Sequence, residues 1–364
     1  MLLEVAAASV LVGSAAGRPA LVPACLTAVA LVAAVAARHR GRPLLEWSGA
    51  ALAMRGRRRR AGGAPPGPLD PVLAPLAECE PALRTYAFAG RGGRSVGMVG
   101  DGTFLTAVLV VRAEDEPLRR TRPLPLGPLH DALEVEDVRL ASVQVVQQIR
   151  PAAVRQGLSP DGAVPRYGLR AVRGTWVALR LDPELCSTAV LARGGGVGGA
   201  QRAVLRAADH LASRLLGAGF AVAVLDEEEL TAALAASACV GAPGADPVAA
   251  EGPRAVEHSR AWHCGGRRHT TYGLGDVPAA AEAMAALTSV PATAYSFALT
   301  LARGPGGAPL VAGFLRVTAE GDTELASAWA ELEAVARRRA VELTRLDHEQ
   351  LPGLLATLPL GGTR

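Results

Sequence analysis

The chain has 364 residues, 50% of them hydrophobic, 20% charged and 4% aromatic, with a mean hydropathy of +0.23. That balance is too apolar for a disordered protein and too poor in aromatic side chains for a surface that stacks on bases, so it argues against a nucleic-acid partner. The net charge of +4 is local: residues 1–60 hold nine arginines against Glu4 and Glu46, which leaves the remainder slightly acidic.

Every basic residue is arginine, so the choice of Arg over Lys carries no mechanistic meaning here. Five cysteines, Cys25, Cys79, Cys186, Cys239 and Cys264, are widely spaced and odd in number. Neither a disulfide framework nor a zinc cluster fits that spacing, and the main domain is expected in a reducing cytosol.

The first element is an apolar run from Leu2 to Gly17 that carries Glu4, followed after Arg18-Pro19 by the uncharged run Ala20 to Ala37. As a helix the second run spans about 27 Å, close to the hydrocarbon thickness of a bilayer. Residues 1–37 are therefore expected to form a two-helix transmembrane hairpin. A cleaved signal peptide is the rival, but no positive charge precedes the apolar run.

Residues 38–60 form a basic collar. Arg38, Arg40, Arg42, Arg55, Arg57, Arg58, Arg59 and Arg60 follow the second run, against Arg18 alone in the hairpin turn. This asymmetry places the amino terminus and the main domain on the cytoplasmic side of the plasma membrane. Leu44, Trp47, Ala51 and Met54 recur at the spacing of one helix face, which predicts a juxtamembrane helix continuing the second span. Trp47 would rest at the interface, and the arginines would contact anionic lipids at about 1 kcal/mol each. The alternative is that they serve only as topology determinants during insertion. Residues 61–75, "AGGAPPGPLDPVLAP", read as a Pro/Gly linker.

Residues 76–364 read as an α/β domain built on a mixed sheet. Thr85–Ala89, Arg94–Val99, Thr103–Val111, Val143–Ile149 and Thr175–Leu181 have strand patterning, with the "GDG" of residues 100–102 as a hairpin turn. Ala200–Leu216 predicts a helix, Phe220–Leu225 a short buried strand, and Asp226 the N-cap of the next helix. In the second half, Thr270–Leu274 reads as a strand and Ala326–Val341 as a helix.

Two short matches suggest an internal duplication. "LDEEELTAALAAS" at 225–237 resembles "LDHEQLPGLLATL" at 346–358, offset by 121 residues, and "ALRL" at 178–181 resembles "ALTL" at 298–301, offset by 120. By the first match, Asp347 is expected to cap its helix as Asp226 does.

The best enzymatic candidate is "ARGGGVGGAQRAVL", in which Gly194, Gly196 and Gly199 fit G-x-G-x-x-G before a helix. Asp226 would then hold a ribose hydroxyl at the end of the next strand. Because a Gly-rich surface loop looks the same, a membrane-tethered enzyme binding a nucleotide or nucleotide sugar through Gly194–Gly199 remains the alternative reading, not the first one. His263, Cys264 and His269 cluster, but they do not make a ligand set at workable metal spacing, and no acid stands beside them to orient a Cys-His pair. No catalytic, cofactor or metal residue is assigned; the assigned site is the membrane-surface set, Trp47 and the eight collar arginines.

Four segments resemble one family: "RGRPLLEWSGAALAMRGRRRR" in the collar, "VEDVRLASVQVVQQ" at 135–148, "TSVPATAYSFALTLAR" at 288–303 and "RLDHEQLPGLLATLPLGG" at 345–362. In this order they resemble EccE, the E component of the type VII (ESX) secretion machinery. The resemblance implies a peripheral subunit with two transmembrane helices and a cytosolic α/β domain. It also implies assembly with the B, C and D components, with the energy supplied by the ATPase component. The family brings no established catalytic residues, and the first apolar run, with Glu4, departs from its pattern.

Overall fold

A computed structural model describes residues 42–61, 69–90, 93–112, 123–150, 172–240, 254–275 and 281–362, with 22, 25–29 and 38–39 before them. Nearly all of the expected transmembrane hairpin lies outside this set, although residues 22 and 25–29 are helical. Among the described residues no helix is long and apolar enough to cross a membrane.

Two short paired strands, β1 (Arg38–His39) and β2 (Arg42–Pro43), precede helix α1 (Leu44–Ala61). The collar is therefore not one helix from residue 38. Pro43, which has no amide hydrogen to donate, stands immediately before the first helical residue. Part of the Pro/Gly stretch is packed: the Asp70 side chain accepts from Val72 N at 2.9 Å and caps a 3-10 turn, Pro71–Leu73, that leads into α2 (Ala74–Cys79). Leu69 and Leu73 beside it are buried.

The domain is one sheet with helices on both faces. Its first unit contains β3 (Arg84–Ala89), β4 (Ser95–Gly100), β5 (Leu105–Arg112), α3 (Leu126–Asp131), the small hairpin β6 (Glu134–Val135) and β7 (Val138–Arg139), β8 (Ser142–Arg150) and β9 (Val172–Leu181). It continues through α4 (Ser187–Ala192), α5 (Gly196–Gly217), β10 (Ala221–Val224) and α6 (Glu227–Ala238). The second unit contains β11 (Ala255–Glu257), β12 (Trp262–Cys264), β13 (Arg267–Leu274), α7 (Ala281–Leu287), β14 (Ala294–Arg303) and β15 (Pro309–Ala319). It ends with α8 (Asp322–Arg338), β16 (Leu343–Arg345) and α9 (Gln350–Ala356).

Strand order in the twelve-stranded sheet is β11-β12-β13-β15-β14-β8-β9-β5-β4-β3, with β10 also on β5 and β16 also on β13. Every pairing among the described residues is antiparallel, which corrects the expected mixed sheet. The reason is topological. β9 and β10 run the same way but sit on opposite sides of β5, so the α5 crossover spans a strand antiparallel to both; β15, α8 and β16 repeat this split crossover around β13.

The pairings of the two units correspond strand for strand and meet where β8 and β14 pair, with Val146 opposite Ala298. At the corresponding junctions Leu225 N donates to Val108 O at 2.9 Å and Leu346 N to Thr271 O at 3.0 Å. The 121-residue match thus aligns corresponding positions. The 120-residue match does not: "ALRL" lies in β9, whose counterpart is β15, whereas "ALTL" lies in β14, whose counterpart is β8.

Alternation along the strands divides the core between the faces. Leu105, Ala107 and Leu109 pack with α5 on one face, while Val108 packs with α6 and α9 on the other. α8 covers the second unit on the α5 face through Leu325, Ala328, Leu332 and Ala336. The final residues thread over the α9 face, where Thr106 Oγ1 donates to Leu360 O at 2.9 Å and Gln144 Oε1 accepts from Gly361 N at 2.9 Å. Gly361 and Gly362 have φ of +91° and +85°, and a Cβ on either would collide with Arg180 or Thr300, so the terminal Gly-Gly is a steric requirement.

Candidate functional site

The basic helix α1 does not stand apart from the domain. Met54 is buried and Trp47 half-buried, both on the face turned towards β11 and the start of α9. The Trp47 indole meets the His348 ring edge-on, with centroids 4.8 Å apart and planes at 89°. Trp47 and Met54, two of the four residues of the apolar stripe read from the sequence, therefore face protein.

Arg57 carries the contact. Its Nε donates to Glu257 Oε2 at 2.9 Å, and its Nη2 donates to Glu257 Oε1 at 2.8 Å and to His348 O at 2.7 Å. The Glu257 side chain is 3% exposed and that of Arg57 18%. A carboxylate this deep needs a partner, and a two-pronged guanidinium supplies charge and geometry together. Leu351 N, in the first turn of α9, also donates to Glu257 Oε1 at 3.0 Å. One carboxylate thus satisfies a helix amino end and anchors the collar.

The N-cap of α9 is Glu349, with no side-chain capping bond, while Asp347 takes Arg345 Nε at 2.7 Å. The expected Asp347 cap is thereby corrected. Its distant replacement, Glu257, shows no signal in the sequence, being one acid in a three-residue strand 94 residues from its amide partner.

The other collar arginines divide by helical position. At 100° per residue, Ser48, Leu52, Arg55 and Arg59 lie opposite Arg57. All four are exposed, Leu52 at 64%. Arg58 lies on the flank beside His258, whose pKa is lowered by burial and then by Arg58. On the other flank, Arg60 opposes, without cancelling, the upward shift that burial and Asp101 impose on Glu80. Arg38 and Arg42 fall in β1 and β2, and Arg40 lies outside the described residues.

The glycine loop has positive φ at Gly194, Gly195 and Gly196, and α5 starts from it. Asp226 is not its partner. α5 packs on one face of the sheet and α6 on the other, and Asp226 accepts from Glu229 N at 2.8 Å in a reciprocal capping box at the start of α6. The ribose-binding geometry is absent because the sheet lies between the two helices. Gly195 N instead closes the end of α4 on Val190 O at 2.9 Å.

Of the His/Cys cluster, His263 stacks on His258 with centroids 4.1 Å apart, and burial followed by His258 lowers its pKa to about 4. His269 is fully buried, its Nδ1 3.0 Å from Thr318 Oγ1, and burial pushes the Cys264 thiol up to about 12. A thiol held protonated is a poor nucleophile and a poor ligand. Among the described residues no group of three or more His, Cys, Asp or Glu side chains is arranged to hold a metal.

One buried cation escaped the sequence reading. Arg316, on β15, donates through Nη2 to Ser237 O and, at 2.8 Å, to Ser296 Oγ, so a guanidinium in the core meets the carboxy end of α6. Burial lowers its pKa to about 10. Gln148 Nε2 donates to Ala236 O at 2.8 Å at the same helix end.

Residues 169–274 match a family model described as "Putative type VII ESX secretion system translocon, EccE". The matched span runs from the start of β9 through the split crossover and α6 to the end of β13. All four segments that suggested EccE from the sequence fall outside it, so the match supports the resemblance separately. Comparison with curated proteins finds no match.

Proposed function

We propose that this protein is a non-catalytic structural subunit of a type VII secretion membrane complex. Its amino-terminal hairpin would cross the plasma membrane and its α/β domain would stand on the cytoplasmic side at the periphery of the translocation machine. The match of residues 169–274 to the EccE family carries this reading. The partners proposed are the B, C and D components, together with anionic lipid at the collar. The division into hairpin (1–37), collar (38–60), linker (61–75) and domain (76–364) belongs to the same proposal. The nucleotide-binding alternative loses its support, since the glycine loop and Asp226 are on opposite faces of the sheet.

The test is affinity purification of the full chain from membranes in mild detergent. B, C and D components should co-purify in fixed ratio, and the complex should fail to accumulate when the chain is deleted. Recovery of the chain alone from membranes that contain intact complex would overturn the reading. In parallel, saturating nucleotide or nucleotide sugar should leave the melting temperature unchanged; bound ligand at a hundredfold over its Kd would add about 2.7 kcal/mol.

A further inference from the structure

We infer that Glu257 orients helix α1 so that one stripe, Leu52, Arg55 and Arg59, is the face that meets an anionic phospholipid surface. Arg57, on the opposite side of the helix, is engaged with the domain, and Arg58 and Arg60 lie on the flanks between the two sides. This rests on the membrane-anchored reading above and goes beyond it, because it divides the collar into two functions and fixes which side of the domain faces the bilayer.

Three observations carry it. Arg57 is committed: both of its prongs are on Glu257 and one also reaches His348 O, so its charge is unavailable to lipid. Trp47 and Met54, which share its face, are covered by the domain. The opposite face presents two guanidinium groups and a leucine that is 64% exposed, and an uncharged eighteen-residue run ends seven residues before α1 starts. Cations beside an apolar side chain on a helix lying along a membrane suit the boundary between phosphate headgroups and acyl chains. Because the Glu257 pair has little freedom to rotate, the domain and the lipid-facing stripe are coupled as one body.

The test uses the full chain in nanodiscs of phosphatidylcholine with or without phosphatidylglycerol, with a photo-crosslinking residue at position 52 or at position 54. Position 52 should capture lipid, and more from the anionic discs. Arg55→Gln with Arg59→Gln should reduce that capture about fivefold or more, the scale of one arginine near an anionic surface. Arg58→Gln, on the flank of the helix, should reduce it less than that pair does. Position 54 should capture the domain's own α2 or β11 in both kinds of disc.

Glu257→Gln keeps an oxygen for Leu351 N and removes the charge that holds Arg57, so capture at 54 should fall while the domain stays folded. Arg57→Met is the second variant, and it should do the same from the other side of the pair. Protein captured at 52, lipid captured at 54, or equal lipid capture with and without phosphatidylglycerol would overturn the inference. Any of these results together with intact co-purification of B, C and D components would sink it alone; lipid capture at 52 without co-purification would sink only the secretion reading.

Discussion

The two units of the sheet share strand pairings but differ at one helix start. In the first, α6 begins at Asp226, whose own carboxylate caps the helix while Glu229 bonds back to Asp226 N at 3.2 Å. In the second, the N-cap residue of the corresponding helix α9, Glu349, makes no side-chain capping bond, and Glu257 from a neighbouring strand supplies an acceptor. The same acceptor then holds Arg57. A helix end capped by its own sequence is complete, whereas one capped from a distance depends on tertiary assembly. That dependence places a buried carboxylate within reach of an incoming cation, which is how two similar units come to differ in what they bind.

The largest effects should be alike in both units. Leu230 and Leu351 correspond and are both buried, so Leu230→Ala and Leu351→Ala should each cost about 2–5 kcal/mol in denaturant unfolding of the full chain, through lost burial and a cavity. A large cost in one unit and none in the other would show that the α6 and α9 packings are not equivalent.

The next effect belongs to the second unit alone. Arg57→Ala should cost about 1.5–3 kcal/mol, because it strands a nearly inaccessible carboxylate that had two charge-assisted bonds. Arg55→Ala, on the exposed face, should be silent in the same unfolding measurement.

Capping separates the units more finely. Asp226→Ala should cost about 1 kcal/mol and Asp226→Asn almost nothing, since Asn caps as well as Asp. Asp347→Asn should by contrast be destabilising, because the Asp347 charge is set against Arg345 at 2.7 Å. Equal tolerance of Asn at both positions would restore Asp347 as a cap.

At neutral pH the smallest effect is that of His263, which emerges only on acidification. The folded pKa of His263 lies near 4, below its ordinary value of 6.5, so folding favours the neutral ring. Its contribution is fully present above about pH 6.5 and is lost as pH falls towards the folded value near 4. Melting temperature followed across that window should fall with acidification, and His263→Gln should flatten the slope. The corresponding position in the first unit is Gly100, so no paired effect arises there. An unchanged slope in the variant would remove His263 as the cause.

Much of the fold was legible because its signals are local. Alternation marked β5, β8 and β9, Gly102 with φ of +97° marked the turn before β5, and Asp226 as an N-cap announced α6. The duplication was half legible: the Leu-Asp junctions correspond, but the "ALRL" and "ALTL" match joined strands that are not counterparts. Four-residue similarity between buried strands reflects a shared environment as easily as a shared position. The antiparallel sheet differs from the mixed sheet expected for a related reason, since strand direction depends on which strand a crossover passes over.

Composition and spacing by themselves determined β5, β8, β9, α5, α6 and the basic collar with its apolar stripe, because each is marked by neighbours within a few residues. Which surface covers that stripe, which acid caps α9 and which arginines face outward were decided only when chain segments 94 and 200 residues apart came together. A carboxylate in water has no preferred partner, but one buried at 3% exposure must find its cation and its amide inside the fold.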